Sequence, residues 1–222
     1  MPTIPITIGS HLVNLCSALL LLCCFAIVAQ RRLMACVDLF ALQSVLLAVT
    51  ATLVAYLTGI HHIYVAAILT IAIKAVILPR ILKKIVRELN VQREVIPYVN
   101  IPAGLLICGG LVILAFFITQ PIAHLGFLLT QDSLAIALAI VLIGFFVMIT
   151  RQKAVTQVIG FLVMENGLFL AATAAAYGMP LIVELGIFFD VLVAGLIVGI
   201  YTHQIQGAFG SVDTGRMKAL KE

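Results

Sequence analysis

Seven long apolar runs decide what this chain can become. They lie near residues 9–29, 34–58, 62–82, 101–120, 132–150, 154–176 and 180–202. Each has about the 17–25 residues that a helix needs to cross roughly 30 Å of hydrocarbon. A closed barrel would show short alternating segments instead. Backbone groups in lipid must be satisfied within their own segment, so the runs predict helices. Composition agrees: 64% of the 222 residues are hydrophobic and 10% are charged, against about 25% charged in a soluble domain. The expected fold is all-α, a polytopic membrane protein with seven transmembrane helices.

The charges predict the orientation. Of the 13 Lys and Arg, Arg31 and Arg32 follow the first run, and Arg80, Lys83, Lys84, Arg87 and Arg93 follow the third. Arg151 and Lys153 separate the fifth and sixth runs, and Arg216, Lys218 and Lys221 lie in the tail. The alternate loops, "TGIHH", "TQPIAHLGFLLTQ" and "YGMP", have none. The positive-inside rule then places the N-terminus outside and the C-terminus in the cytoplasm. The net charge of +4 is explained by topology and calls for no nucleic-acid partner. The first nine residues carry no basic n-region, so the first helix is expected to be retained.

Cys16, Cys23, Cys24, Cys36 and Cys108 lie in or beside apolar runs without zinc-site spacing. They read as small packing residues. The stretch from Arg80 to Pro102 alternates Leu82, Ile85, Val86 and Leu89 with cations, just after Pro79. A kink at Pro79 and then an amphipathic surface helix is expected, or equally a docking edge for a soluble partner. The glycine-rich tail is expected along the cytoplasmic face.

Against this apolar background, three ionisable groups occur in mid-run: Lys74, Glu165 and Asp190. At about 1.5 Å per residue, Glu165 and Lys74 lie roughly 18 Å, and Asp190 roughly 15 Å, below the outer edge. All three approach the midplane, where Asp or Lys costs about 2.5–3.5 kcal/mol on insertion scales. They must face protein or water. Gly186, Asp190 and Ala194 share one face of the seventh run, with a Gly195–Gly199 pair beside it, so Asp190 is expected on a packing face. The tight turn before the seventh run predicts Glu165 and Asp190 on adjacent helices. Such groups could serve only to hold helices together. They could also handle protons, because burial disfavours the charged form of acids and amines alike and lets neighbours exchange protons.

Other polar positions carry weaker signals. Asn166 neighbours Glu165, and Gln43 with Ser44 lies midway along the second run, suited to bridging helices or holding water. Glu184 either caps its helix or lies at the mouth of a path. Asp38 is expected to pair with Arg31 or Arg32. His61, His62 and His124 read as interfacial loop residues, and His203 as a complement to a helix dipole. Runs 1–3 and 5–7 suggest a parallel repeat of three-helix units: a basic pair opens the second helix of each, Gln43–Ser44 matches Glu165–Asn166, and Lys74 matches Asp190. The chain shows no nucleotide loop, haem histidine pair, nucleophile–base pair or iron–sulfur cysteine set, and so no redox or hydrolytic chemistry of its own.

The segments "RQKAVTQVIGFLVMENGLFLAA" and "MPLIVELGIFFDVLVAGLIVGI" resemble the E component of hydrogenase-4-type complexes. These are membrane-bound group 4 nickel–iron hydrogenases related to formate hydrogenlyase. The length, the seven runs and the MENG and VELG segments extend this resemblance over nearly the whole chain. Residues 130–222 also resemble, more distantly, the K-type subunit of respiratory complex I and the C subunit of multi-subunit sodium/proton antiporters. Both carry membrane carboxylates for proton transfer on their second and third helices, roles that the resemblance assigns to Glu165 and Asp190. In the K-type pattern the carboxylate comes two residues after Ile-Gly; here Glu165 comes five after Gly160, about one turn later. The second acid is Asp rather than Glu.

The resemblance implies a subunit of the bacterial inner membrane that bridges antiporter-like partners. It holds no cofactor itself; the nickel–iron site and iron–sulfur clusters belong to peripheral partner subunits. Glu165 and Asp190 would carry protons, with Lys74 and Asn166 tuning them and Gln43 and Glu184 in support. The expected organisation is a three-helix unit with an amphipathic extension over 1–100, a linking helix and outer loop over 101–131, and a K-type-like unit with its tail over 132–222. The alternatives are a purely structural scaffold of the complex and a self-contained proton-coupled transporter.

Overall fold

The computed structural model describes residues 6–59, 62–88, 98–123 and 131–175. The seventh run and the tail, with Glu184, Asp190 and His203, lie outside the described residues, as do His61 and His124.

Every long element described is helical: α1 (Ile6–Ala29), α2 (Leu33–Thr58), α3 (His62–Thr70), α4 (Leu78–Glu88), α5 (Ile101–Ala123), α6 (Gln131–Thr150) and α7 (Ala154–Ala175). Among the described residues, six helical stretches are long and apolar enough to cross a membrane, and α3 and α4 share one of them, Ile63–Arg87. Their bounds fall within a few residues of the first six apolar runs. Chain reversal at the end of α2 uses Gly59, whose φ of 72° is left-handed and whose N–H caps Ala55. Glycine has no Cβ to oppose that conformation.

One core holds the helices together. α2 is central and packs on α1, α3, α4 and α7, while α6 packs on α1, α5 and α7. The pattern is inverted relative to a soluble protein. Ser17, Gln43, Ser44, Lys74, Ser133, Glu165 and Asn166 are buried. Leu106, Ile113, Phe117, Ile149 and Ile68 point outward, as lipid-facing side chains should. Among the described spans, α5 is the least enclosed. It turns Gly104, Cys108, Ala115 and Thr119 inward, a stripe of small residues that permits close approach.

The third span carries a π-helical segment just ahead of Pro79. Residues Ile71–Ile77 form a π-helix that joins α3 to α4 without a break. Pro79 explains its place. Its ring would crowd the carbonyl four residues back, and it brings no N–H of its own. The widened turns relieve that conflict before it arises: the N–H of Leu78 donates five residues back, to Ile73 O. The same widening aligns side chains. Thr70, Lys74, Leu78 and Leu82 are all buried at steps of four. In a regular α-helix each such step overshoots a turn by roughly 40°. The π segment absorbs the drift and keeps Lys74 on the inner line.

Asp38 is placed differently from the sequence expectation. It pairs with Lys83 at 2.5 Å, not with Arg31 or Arg32. α4 packs against α2 and brings Lys83 within reach.

Candidate functional site

The site forms where α7 is pressed between α6 on one side and α2 with the π segment on the other. Glycines set the first contact. A Cβ on Gly144 would meet the Met164 backbone N at 2.7 Å, and one on Gly167 the Val141 N at 2.8 Å. A Cβ on Gly160 would meet the Met148 N at 3.0 Å. Only glycine lets α6 and α7 come this close, and the seam fixes the rotation of α7. Glu165 and Asn166, midway along α7, are thereby enclosed.

Lys74 reaches them from the π segment. Its Nζ lies 2.9 Å from Glu165 Oε1 and donates to Asn166 Oδ1 at 3.4 Å. The ring of Phe169 lies 6.0 Å from the same ammonium, at the outer limit of a cation–π contact. Only 1% of Lys74 and 3% of Glu165 is exposed. Asn166 then passes the network to α2. Its Nδ2 donates to Gln43 Oε1 at 3.2 Å and to Ser44 Oγ at 3.5 Å. Gln43 Nε2 in turn donates to Leu20 O at 3.3 Å and Cys24 Sγ at 2.9 Å on α1. The direction is set by chemistry. An ammonium only donates, so Asn166 must turn its oxygen to Lys74 and its nitrogen to Gln43. The amide of Gln43 is oriented the same way in sequence.

Four sequence-predicted residues, Lys74, Glu165, Asn166 and Gln43, therefore meet at one level. Asp190 and Glu184 lie outside the described residues, and with them the expected neighbourhood of Glu165 and Asp190. Cys24 is more than a packing residue, since its sulfur accepts the Gln43 amide. Nothing in the sequence around Cys24 signals that contact, which depends on the rotation of α1 against α2.

Chemically, the centre offers a carboxylate and an amine in direct contact, away from water. Charging both costs several kcal/mol of desolvation per ion, which their attraction and their hydrogen bonds offset. Moving one proton from Nζ to the carboxylate turns an ion pair into a neutral pair.

Two further groups of polar contacts tie α1 to α6 and to the turn that follows it. Midway along α1 and near the start of α6, Ser17 and Ser133 share a hydrogen bond of 3.1 Å, and Ser133 donates to Asn14 Oδ1 at 3.0 Å. Asn14 Nδ2 donates to Asp132 at 3.2 Å. At the other end, Arg151 is 4% exposed. Its Nη2 donates to Val28 O, Gln30 O and Ile27 O at 2.8, 3.1 and 3.4 Å. These are carbonyls at the C-terminal end of α1, which carries partial negative charge. In the sequence Arg151 reads as a marker of topology and of the repeat. Burial pulls its guanidinium below the ordinary arginine range, offset in part by Cys36.

Fold and site together define a multi-pass helical membrane protein with a buried, ion-paired polar centre. The uncharacterised protein Rv0085 of Mycobacterium tuberculosis is 38% identical over 214 residues, spanning 96% of this chain and 97% of that protein. Hydrogenase-4 component E of Escherichia coli (strain K12) is 25% identical over 216 residues, spanning 96% of this chain and 99% of that protein. The Shigella flexneri protein of the same name matches equally well. The chain is thus homologous to hydrogenase-4 component E over nearly its whole length. No protein-family model matches it, and no solved structure does.

Proposed function

We propose that this chain is a membrane subunit of a hydrogenase-4-type energy-converting complex in the bacterial inner membrane, and that its Lys74–Glu165 pair takes part in proton translocation. The observation that carries the chemistry is the 2.9 Å contact between Lys74 and Glu165, buried in the middle of two apolar spans. The name of the Escherichia coli and Shigella flexneri relatives supports the complex. In this reading the chain has seven spans, an outer N-terminus and a cytoplasmic C-terminus. It bridges antiporter-like subunits, and peripheral partners hold the nickel–iron site and iron–sulfur clusters. Asp190 is the second proton carrier, Asn166 and Gln43 orient the pair, and Glu184 supports the outer mouth.

The repeat of three-helix units belongs to the same proposal. It gains support from the meeting of Gln43–Ser44 with Asn166, since these are the positions that the repeat equates. The test is a tagged chain purified from gently solubilised membranes, followed by proton transport in vesicles. Wild type should co-purify with hydrogenase and antiporter-like subunits. Glu165→Gln should abolish most proton transport per assembled complex, beyond any drop in the amount assembled. Normal transport by Glu165→Gln would overturn the role of the pair; absence of hydrogenase subunits would overturn the complex.

A structural scaffold is the competing function, favoured by the completeness of the network around Asn166. It predicts that transport falls only in proportion to the amount of assembled complex.

A further inference from the structure

The cations of α4 do more than mark a cytoplasmic segment. Arg80, Lys83, Lys84 and Arg87 line one groove of about 450 Å³. Its lining among the described residues is wholly basic. The opposite face of α4, with Leu78, Leu82, Ile85 and Val86, is buried in the protein, so the basic face is held outward. Lys83 is anchored from α2 by Asp38. Arg80 and Arg87 stand two turns apart, roughly 10 Å along the axis, with Lys84 between them.

The positive-inside rule accounts for cations near this membrane surface but not for four of them around one cavity. Arg31 and Arg32, at the α1–α2 turn, are also exposed and are not among its described lining. Like charges at spacings of three and four along a helix repel one another, and a bound anion relieves that repulsion.

We infer that this groove binds the headgroup phosphate of an anionic membrane lipid. Three features select a lipid. The groove lies on the last turns of a helix that continues a membrane span, Ile63–Arg87, so its mouth is at headgroup level. Basic residues at that position attract anionic leaflets. Guanidinium groups match phosphate oxygens with paired hydrogen bonds. Acyl chains of such a lipid can run down the exposed Ile77 and Ile71 on the same span. This site is independent of the proton-handling role proposed for Lys74 and Glu165.

The test is native mass spectrometry of the full chain in detergent, titrated with dioleoyl phosphatidylglycerol or dioleoyl phosphatidylcholine. Wild type should retain phosphatidylglycerol in preference. Arg80→Gln/Lys84→Gln/Arg87→Gln should weaken that retention roughly tenfold or more, whereas Arg31→Gln/Arg32→Gln, with the same sign of charge change outside the groove, should not. Raised salt should reproduce the loss in the wild type. Equal retention of both lipids, or undiminished retention by the triple variant, overturns the site. So does an equal loss in the Arg31/Arg32 variant, which would reduce the effect to overall charge. Displacement by an equal concentration of glycerol phosphate would assign the groove to a free phosphate ester. Loss of an acidic protein partner from the triple variant, with lipid retention unchanged, would assign it to a protein. Either result contradicts the lipid.

Discussion

Lys74 and Arg151 are both cations buried almost completely, and the structure treats them in opposite ways. Lys74 stands in mid-span against a carboxylate and two amide-linked helices. Arg151 stands at the edge of the spans and donates only to carbonyls at the end of α1. An arginine keeps its proton in proteins, and carbonyls cannot receive one, so Arg151 is a fixed charge that fastens α1 to the α6–α7 turn. Lys74 instead faces a carboxylate, a group that can take up a proton. The difference teaches that burial of a cation is not itself a sign of function. What matters is whether the partner can take the proton.

Breaking the pair should have the largest effect on stability. Lys74→Met leaves a carboxylate in the core and should cost about 3–5 kcal/mol, the usual loss on removing one partner of a buried pair. Thermal unfolding of the tagged protein in detergent measures it. Adding Glu165→Gln should restore most of that stability without restoring transport. A double variant as unstable as Lys74→Met would show that the charge pairing is not the source of the loss.

Arg151→Gln should cost about 3 kcal/mol, from lost charged hydrogen bonds to the end of α1. Its signature differs from that of Glu165→Gln: transport per assembled complex stays near wild type even as the yield of folded protein drops. The contact should also be indifferent to pH near neutrality. A depressed arginine value makes stability rise with pH only in the alkaline window between the folded and ordinary values. A strong pH dependence near neutrality that Arg151→Gln removes would erase the distinction between the two cations.

Gly167→Ala should cost about 2 kcal/mol, because a Cβ would lie 2.8 Å from the Val141 backbone N. Since α7 must shift beside Asn166, transport per complex should fall as well, unlike in Arg151→Gln. Lys83→Gln should have the smallest effect, below about 1 kcal/mol in the same unfolding assay. Its partner Asp38 is largely exposed, and such surface pairs contribute little.

Much of this was legible before the fold was known. The bounds of the described spans follow from apolar length, and the shared depth of Lys74 and Glu165 follows from counting residues along their runs. Asn166 and Gln43 stand out as polar residues in mid-run. The misses share one cause: they depend on how helices rotate against each other. Pro79 announces a disturbance but not its form, because an i to i+5 hydrogen-bond pattern leaves no mark in an almost uniformly apolar segment. Asp38 is close in sequence to Arg31 and Arg32, yet the packing of α4 on α2 presents Lys83. Arg151 looks like any loop cation until α1 ends beside it. The sequence drew attention to Gly195 and Gly199, which lie outside the described residues. The seam that positions Glu165 uses Gly144, Gly160 and Gly167, whose roles appear only when α6 and α7 are placed together.

The most direct measurement is infrared difference spectroscopy of the carboxyl stretch during proton transport by the assembled complex. A signal that appears as the complex works and disappears in Glu165→Gln, but persists in Arg151→Lys, is the predicted result: Glu165 gains and loses a proton in each cycle. A spectrum in which no carboxyl signal depends on Glu165, while transport proceeds, would contradict the central claim and leave the Lys74–Glu165 pair as a structural clasp.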